Sequence, residues 1–229
     1  MKWNEHSNLR GQHAMFSPSQ SAWLRYSEDQ IEDRVLSQFR APLGTEIHEY
    51  ASVQIKLGHK IGSIRDCKKD ISTAIYIKYL NMDRDKESAL PYGLTLIKYL
   101  GYLPNEVFET VKIFVNEAIG FKMESEQVLY YSDEIFGTTD AICFRDDYLR
   151  IHDLKTGARP AHMDQLAVYA ALFCLEYKIK PGQIAMELRI YQQADDILVW
   201  SPTAEDILPV MDQIITAGKI ASQIKDREV

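Results

Sequence analysis

The chain predicts an α/β protein in which helices flank a mixed central sheet, preceded by a helical portion. The second half reads β-β-β-α-β-β-α, with short apolar runs around one long apolar helix. The first half, Met1 to about Gly120, instead shows apolar residues recurring every three or four positions. An apolar fraction of 46% over 229 residues is what a packed globular core needs, so a single domain over 1–229 is expected, with a helical part to 120 and a sheet-containing core from 121. Layers of helix against sheet follow from that order.

The elements follow in sequence. Ser17-Pro18-Ser19-Gln20 predicts a capping box with proline at the first helical position, leading into Trp23 and Leu24. Gly44-Thr45-Glu46-Ile47-His48 opens a further helix, with Thr45 as N-cap and His48 in its first turn. Helices over Ile71–Leu80, Leu94–Leu100 and Val107–Ile119 are broken by Pro91, Gly101 and Pro104. Strands follow at Lys122–Tyr131, Ile135–Phe144 and Tyr148–Leu154, and Ala161–Lys178 is an apolar helix stopped by Pro181-Gly182. Strands at Gln183–Tyr191 and Ile197–Trp200 and a helix from Thr203 or Ala204 complete the chain.

The hairpin around Arg145-Asp146-Asp147 carries the chemistry. A two-residue Asp146-Asp147 loop pairs Arg145 with Tyr148 and Phe144 with Leu149, and the ladder then sets Asp140 opposite Asp153. Directly opposed Cβ atoms lie roughly 4.5–5.5 Å apart, where two carboxylates repel unless a cation lies between them. A divalent metal ion is the natural candidate. Strand alternation points Lys155 to the face of Asp153 and turns Leu154 into the other layer. A bulge in place of the tight turn would shift this pairing by one residue. Gln165 and Tyr169 are four residues apart on the next helix and so share a face.

These residues resemble the RecB-like branch of the PD-(D/E)xK nucleases, in which a helix histidine, a strand aspartate, an (Asp/Glu)-x-Lys pair and a Gln-x-x-x-Tyr helix occur in this order. The matching positions are His48, Asp140, Asp153-x-Lys155 and Gln165-x-x-x-Tyr169, in the strings GTEIH, GTTDAI, HDLKTG and DQLAVYA. The resemblance implies a restriction-endonuclease-like core and a phosphodiesterase acting on DNA with Mg²⁺ or Mn²⁺. It implies metal ligation by His48, Asp140, Asp153 and the backbone carbonyl of Leu154, with Asp140, Asp153 and Lys155 catalytic. Lys155 would orient or help deprotonate the attacking water, and Gln165 and Tyr169 would support the site or contact DNA. An exonuclease processing DNA ends in recombination, repair or phage DNA metabolism is the first expectation. A quiet DNA-binding subunit of the same fold, and a metal phosphohydrolase acting on small phosphate esters, are the alternatives. Standalone relatives often form rings, which leaves a homo-oligomer open, as is a separate helicase or recombination partner.

Composition bounds these readings. A formal net charge of −7 is not the footprint of bulk electrostatic DNA binding, so any DNA channel is local. The stretch from Lys56 to Lys69 carries Lys56, His59, Lys60, Arg65, Lys68 and Lys69, a candidate backbone-contacting patch for which a solvated helix face is an equal account. Cys67, Cys143 and Cys174 lack paired spacing and read as buried thiols; they are too few for the four-cysteine iron–sulfur cluster of some CRISPR-associated relatives. No Gly-x-x-x-x-Gly-Lys-Ser/Thr loop occurs, so no ATP use is expected. No apolar run reaches the ~18–20 residues of a membrane span and the opening residues lack the apolar stretch of a signal peptide, so a cytoplasmic protein is the expectation, bacterial or, if phage-encoded, in the host. Glu124 and Glu126 share a strand face that is either solvated or adds a metal ligand, and His152 points away from Asp153.

Overall fold

The structure is a computed structural model that describes residues 5–9, 11, 14–82, 86–157 and 160–225, among which no helix is long and apolar enough to cross a membrane. Four α-helices come first: α1 (Glu28–Leu57), α2 (Ile64–Leu80), α3 (Lys86–Leu100) and α4 (Asn105–Gly120). Strands β1 (Glu124–Ser132), β2 (Ile135–Arg145) and β3 (Tyr148–Leu154) follow, then α5 (Asp164–Glu176), β4 (Ala185–Gln193), β5 (Asp196–Trp200) and α6 (Ala204–Lys225).

Three local expectations are corrected. The helix expected to open at Gly44 is the second half of α1, which starts instead at a reciprocal capping box: Ser27 Oγ accepts from Gln30 N, and Gln30 Oε1 from Ser27 N. Thr45 is no cap, because its hydroxyl donates to Ala41 O within the helix, and His48 lies far from the first turn. Burial of Leu43, Ile47, Tyr50, Ala51 and Ile55 carries α1 through Pro42. Pro91 likewise lies inside α3 rather than breaking it. Third, Ser17 caps a 3₁₀ segment over Pro18–Arg25 through Ser19 N, and Gln20, at φ −117° and ψ 54°, leaves helical geometry, so no capping box forms.

The five strands form one mixed sheet in the order β1-β2-β3-β4-β5, with β3 and β4 parallel and every other pair antiparallel. The parallel pair needs a crossover, which α5 supplies. Asp146 and Asp147 both take positive φ, 52° and 56°, the backbone of a two-residue turn matched to strand twist. The pairing that results is Arg145–Tyr148, Phe144–Leu149, Cys143–Arg150, Ile142–Ile151 and Ala141–His152. The ladder ends there, one pair short of the expected Asp140–Asp153.

Strand alternation divides the core into two layers. Ala141, Cys143, Leu154 and Tyr191 join the buried residues of α1, α2 and α4, whereas Ile142, Leu149, Ile151, Leu188 and Ile190 pack with α5 and α6. Cys67, Cys143 and Cys174 are buried free thiols. His152 belongs to the first layer, fully buried, with Nδ1 3.1 Å from Tyr191 Oη; burial, with Arg189 and Arg150 nearby, lowers its pKa to about 3.

Candidate active site

The site forms where β2 and β3 part. Beyond Ala141–His152, the Leu154 amide donates to Asp140 Oδ2 at 2.7 Å, so the aspartate side chain continues the bonding that the ladder has stopped making. Asp140 Oδ1 lies 3.3 Å from His48 Nδ1 on α1. Two contacts hold α1 against the sheet. A Cβ on Gly44 would meet Thr156 Oγ1 at 3.0 Å, so the glycine lets the helix approach the end of β3 one turn before His48. One turn beyond, Ser52 Oγ lies 3.0 Å from Ser125 Oγ on β1.

The second chain of contacts runs toward α5. Lys155 Nζ lies 3.0 Å from Asp153 Oδ1 and 2.9 Å from Oδ2, and donates to Gln165 Oε1 at 2.8 Å. Gln165 Nε2 donates to Tyr169 Oη at 3.2 Å, and Tyr169 Oη donates to Thr138 O at 2.7 Å. Lys155 and Asp153 thus face α5 while Leu154 turns into the other layer. A Cβ on Gly137 would lie 2.7 Å from Tyr169 Cε1, so the tyrosine ring rests directly on the strand backbone.

Electrostatics follow from crowding acids in a partly closed space. Asp153 is 4% exposed, and burial, reinforced by Asp140, raises its pKa to about 6 against the pull of Lys155 and His48. Burial alone would lower the His48 pKa, but Asp140 and Asp153 outweigh it and the net shift is upward. Glu126 is shifted up as well, by burial and then by Asp140, against His48 and Lys56.

Those last residues line one groove. It encloses about 920 Å³ and includes Arg40, His48, Lys56, Glu126, Asp140 and Thr156 on its walls. Glu126 falls between the pairs Ser125–Ala141 and Gln127–Thr139, opposite Asp140, with a positive φ of 57°. Strand alternation in the sequence offers it only as half of a strand face with Glu124; a count from the turn before Ile135 would set Ala141 opposite it, and the register shift between Tyr130 and Ser132 brings Asp140 there instead. The basic stretch divides. Lys56 lines the groove, whereas Lys68 donates to Asn105 Oδ1 at 2.9 Å and lies over the Phe108 ring. Lys60, Arg65 and Lys69 are exposed and stand outside the groove's lining.

A divalent cation suits this donor set. Asp153 Oδ2 is buried and ion-paired but accepts no hydrogen bond, and the Asp140 charge that adds to the effect of burial on Asp153 is one a hard cation would relieve. Among the described residues, however, no three His, Cys, Asp or Glu side chains are gathered into a group ready to hold a metal. His48, Asp140 and Asp153 are instead held in the hydrogen bonds and ion pair given above.

Fold and site together define a mixed α/β protein with an aspartate–histidine pair and an aspartate–lysine pair at the end of a central strand. The chain belongs to the DUF2800 family, described as proteins of unknown function, whose model matches residues 13–221. No curated protein and no solved structure matches it.

Proposed function

We propose that this protein is a metal-dependent DNA nuclease with a restriction-endonuclease-like PD-(D/E)xK core, acting as an exonuclease on DNA ends. One observation carries the reading. Six residues that resemble the RecB-like pattern, spread from His48 to Tyr169, meet at one strand end in two hydrogen-bonded chains, His48–Asp140–Leu154 N and Asp153–Lys155–Gln165–Tyr169. The mixed sheet, with three antiparallel strands, a crossover helix and a parallel fourth strand, is compatible with that core. Fold by itself does not select the chemistry.

His48, Asp140, Asp153 and the Leu154 carbonyl would hold Mg²⁺ or Mn²⁺. When bound, the ion supplies Lewis-acid polarisation of a phosphodiester and acidifies a water molecule. The remaining work belongs to the chain. Asp140, anchored on the Leu154 amide, keeps the parting strands in register. Lys155, held between Asp153 and Gln165, presents its ammonium to the non-bridging phosphoryl oxygens and orients the attacking water. Water oxygen bonds to phosphorus, one ester oxygen leaves, and the water's proton ends on that leaving oxygen or in solvent. Tyr169 and Gln165 limit the wandering of the lysine.

The deciding experiment is cleavage of end-labelled linear duplex, linear single-stranded and closed circular DNA with Mg²⁺, Mn²⁺ or EDTA, with wild type beside Asp153→Ala. Metal-dependent loss of linear but not circular DNA, abolished by the substitution, is expected. Cutting of circles would make it an endonuclease, and DNA binding without cleavage would make it a quiet subunit.

A further inference from the structure

Beyond Ala141–His152, β3 has lost its ladder with β2, and the Asp153-Leu154-Lys155 segment takes its main-chain support from β4. One residue of β4 grips both ends of that segment. Tyr191 pairs with Leu154, its carbonyl accepts from Lys155 N at 2.8 Å, and its hydroxyl lies 3.1 Å from Nδ1 of His152. The residues just before and just after Asp153-Leu154 are therefore held on a single tyrosine.

That tyrosine is fixed in turn from the helix layer. Its hydroxyl donates to Glu117 Oε2 on α4 at 2.6 Å, and the same carboxylate oxygen accepts from Arg189, two residues earlier on β4, at 2.8 Å. The ring is fully buried and meets Phe114 of α4 edge-on at 5.4 Å. With its one proton given to Glu117, Tyr191 Oη accepts from His152 Nδ1–H. Neutral His152 then carries its lone pair on Nε2, which is buried without a hydrogen-bond partner among the described residues. A bare acceptor of this kind is uncommon in a folded core, and it marks a ring held in place by its other nitrogen.

Resting on the nuclease reading, we propose that Tyr191, anchored by Glu117, is a positioning residue for Lys155. Gln165 and Asp153 hold the tip of the lysine, and the Tyr191 carbonyl holds its root as the chain leaves β3. Root and tip together set where the ammonium stands against the scissile phosphate. Misplacing such a group by about 1 Å costs on the order of 10²-fold in rate.

The test joins single-turnover cleavage of linear DNA in Mn²⁺, anisotropy for DNA affinity, and amide hydrogen exchange of the full chain isotope-labelled at lysine. Tyr191→Phe and Glu117→Ala are each expected to slow cleavage about 10–10²-fold at unchanged DNA affinity. Exchange at the Lys155 amide should quicken at least about tenfold, while the amides of Lys56 in α1 and Lys78 in α2 hold their wild-type rates. Glu117→Gln keeps an acceptor for the Tyr191 hydroxyl and should restore most of the rate lost in Glu117→Ala. In a Lys155→Ala background, Tyr191→Phe should add no further loss, because both act through one side chain. Equal slowing in both backgrounds, quicker exchange at all three lysines, or an unchanged Lys155 amide overturns the positioning role. The Glu117 side chain is 35% exposed, so its substitution leaves the core packed and the test does not depend on the folding of Tyr191→Phe. If wild type cuts no DNA, the nuclease reading falls by itself, and the exchange measurement decides whether Tyr191 holds Lys155.

Discussion

The Leu154 amide donates to Asp140 Oδ2 at 2.7 Å, at the point where the β2–β3 ladder has ended. A side-chain carboxylate thereby holds together two strands that are moving apart, and its other oxygen faces His48 on α1. The same aspartate is therefore a strand clamp and a candidate ligand.

Separating those roles is the first test. Asp140→Ala strands a backbone donor and should cost roughly 1–3 kcal/mol, whereas Asp140→Asn keeps an acceptor for Leu154 and should cost less than about half of that. Both should abolish cleavage. Urea denaturation of the two variants checks the stability difference, and equal losses would remove the clamp.

Asp153 makes stability depend on pH in a stated direction. Its pKa is raised from 3.8 to about 6, so the folded state holds the proton more tightly than the unfolded chain. Without metal, stability should fall as pH rises from about 4 through 6, by roughly 2–3 kcal/mol, because each tenfold gain in proton affinity is worth about 1.4 kcal/mol. Asp153→Asn should lose that slope and be more stable than wild type at neutral pH in EDTA. Mn²⁺ should stabilise wild type and not the variant, read by denaturation at both ends of the range.

Lys155→Ala should retain Mn²⁺ and DNA binding while cleavage falls about 10²–10³-fold. Single-turnover cleavage with anisotropy alongside measures both. A variant cutting at the wild-type rate would strip the lysine of its role.

Gly137→Ala tests the support for that lysine. The new methyl would sit 2.7 Å from the Tyr169 ring and displace the hydroxyl that bridges Gln165 and Thr138 O. A loss of roughly 1–3 kcal/mol is expected, together with slower cleavage at unchanged DNA affinity. Tyr169→Phe should add little to the Gly137→Ala loss, because both act through one contact chain.

Much of this site is legible in the chain before it folds. Strand alternation and the Asp146-Asp147 turn place Asp153, Lys155 and Leu154 on their faces and set the pairing through Ala141–His152. The capping signal at Thr45 misleads, because a local cap competes with burial along the whole of α1, and burial wins. The basic stretch from Lys56 to Lys69 cannot be divided by inspection, since Lys68 turns to Phe108 and Asn105 on α4 only once α2 has packed.

The sequence by itself determined the order of elements, the hairpin register and the layer into which each strand residue points, because these depend on a period of two and on a turn of two residues. Tertiary structure decided that His48 reaches Asp140 across 92 residues, that Glu126 and Lys56 share its groove, and that Tyr169 rests on Gly137. Those contacts depend on how closely a helix layer settles onto the sheet, a distance set by the packing of both layers at once and encoded in no local spacing.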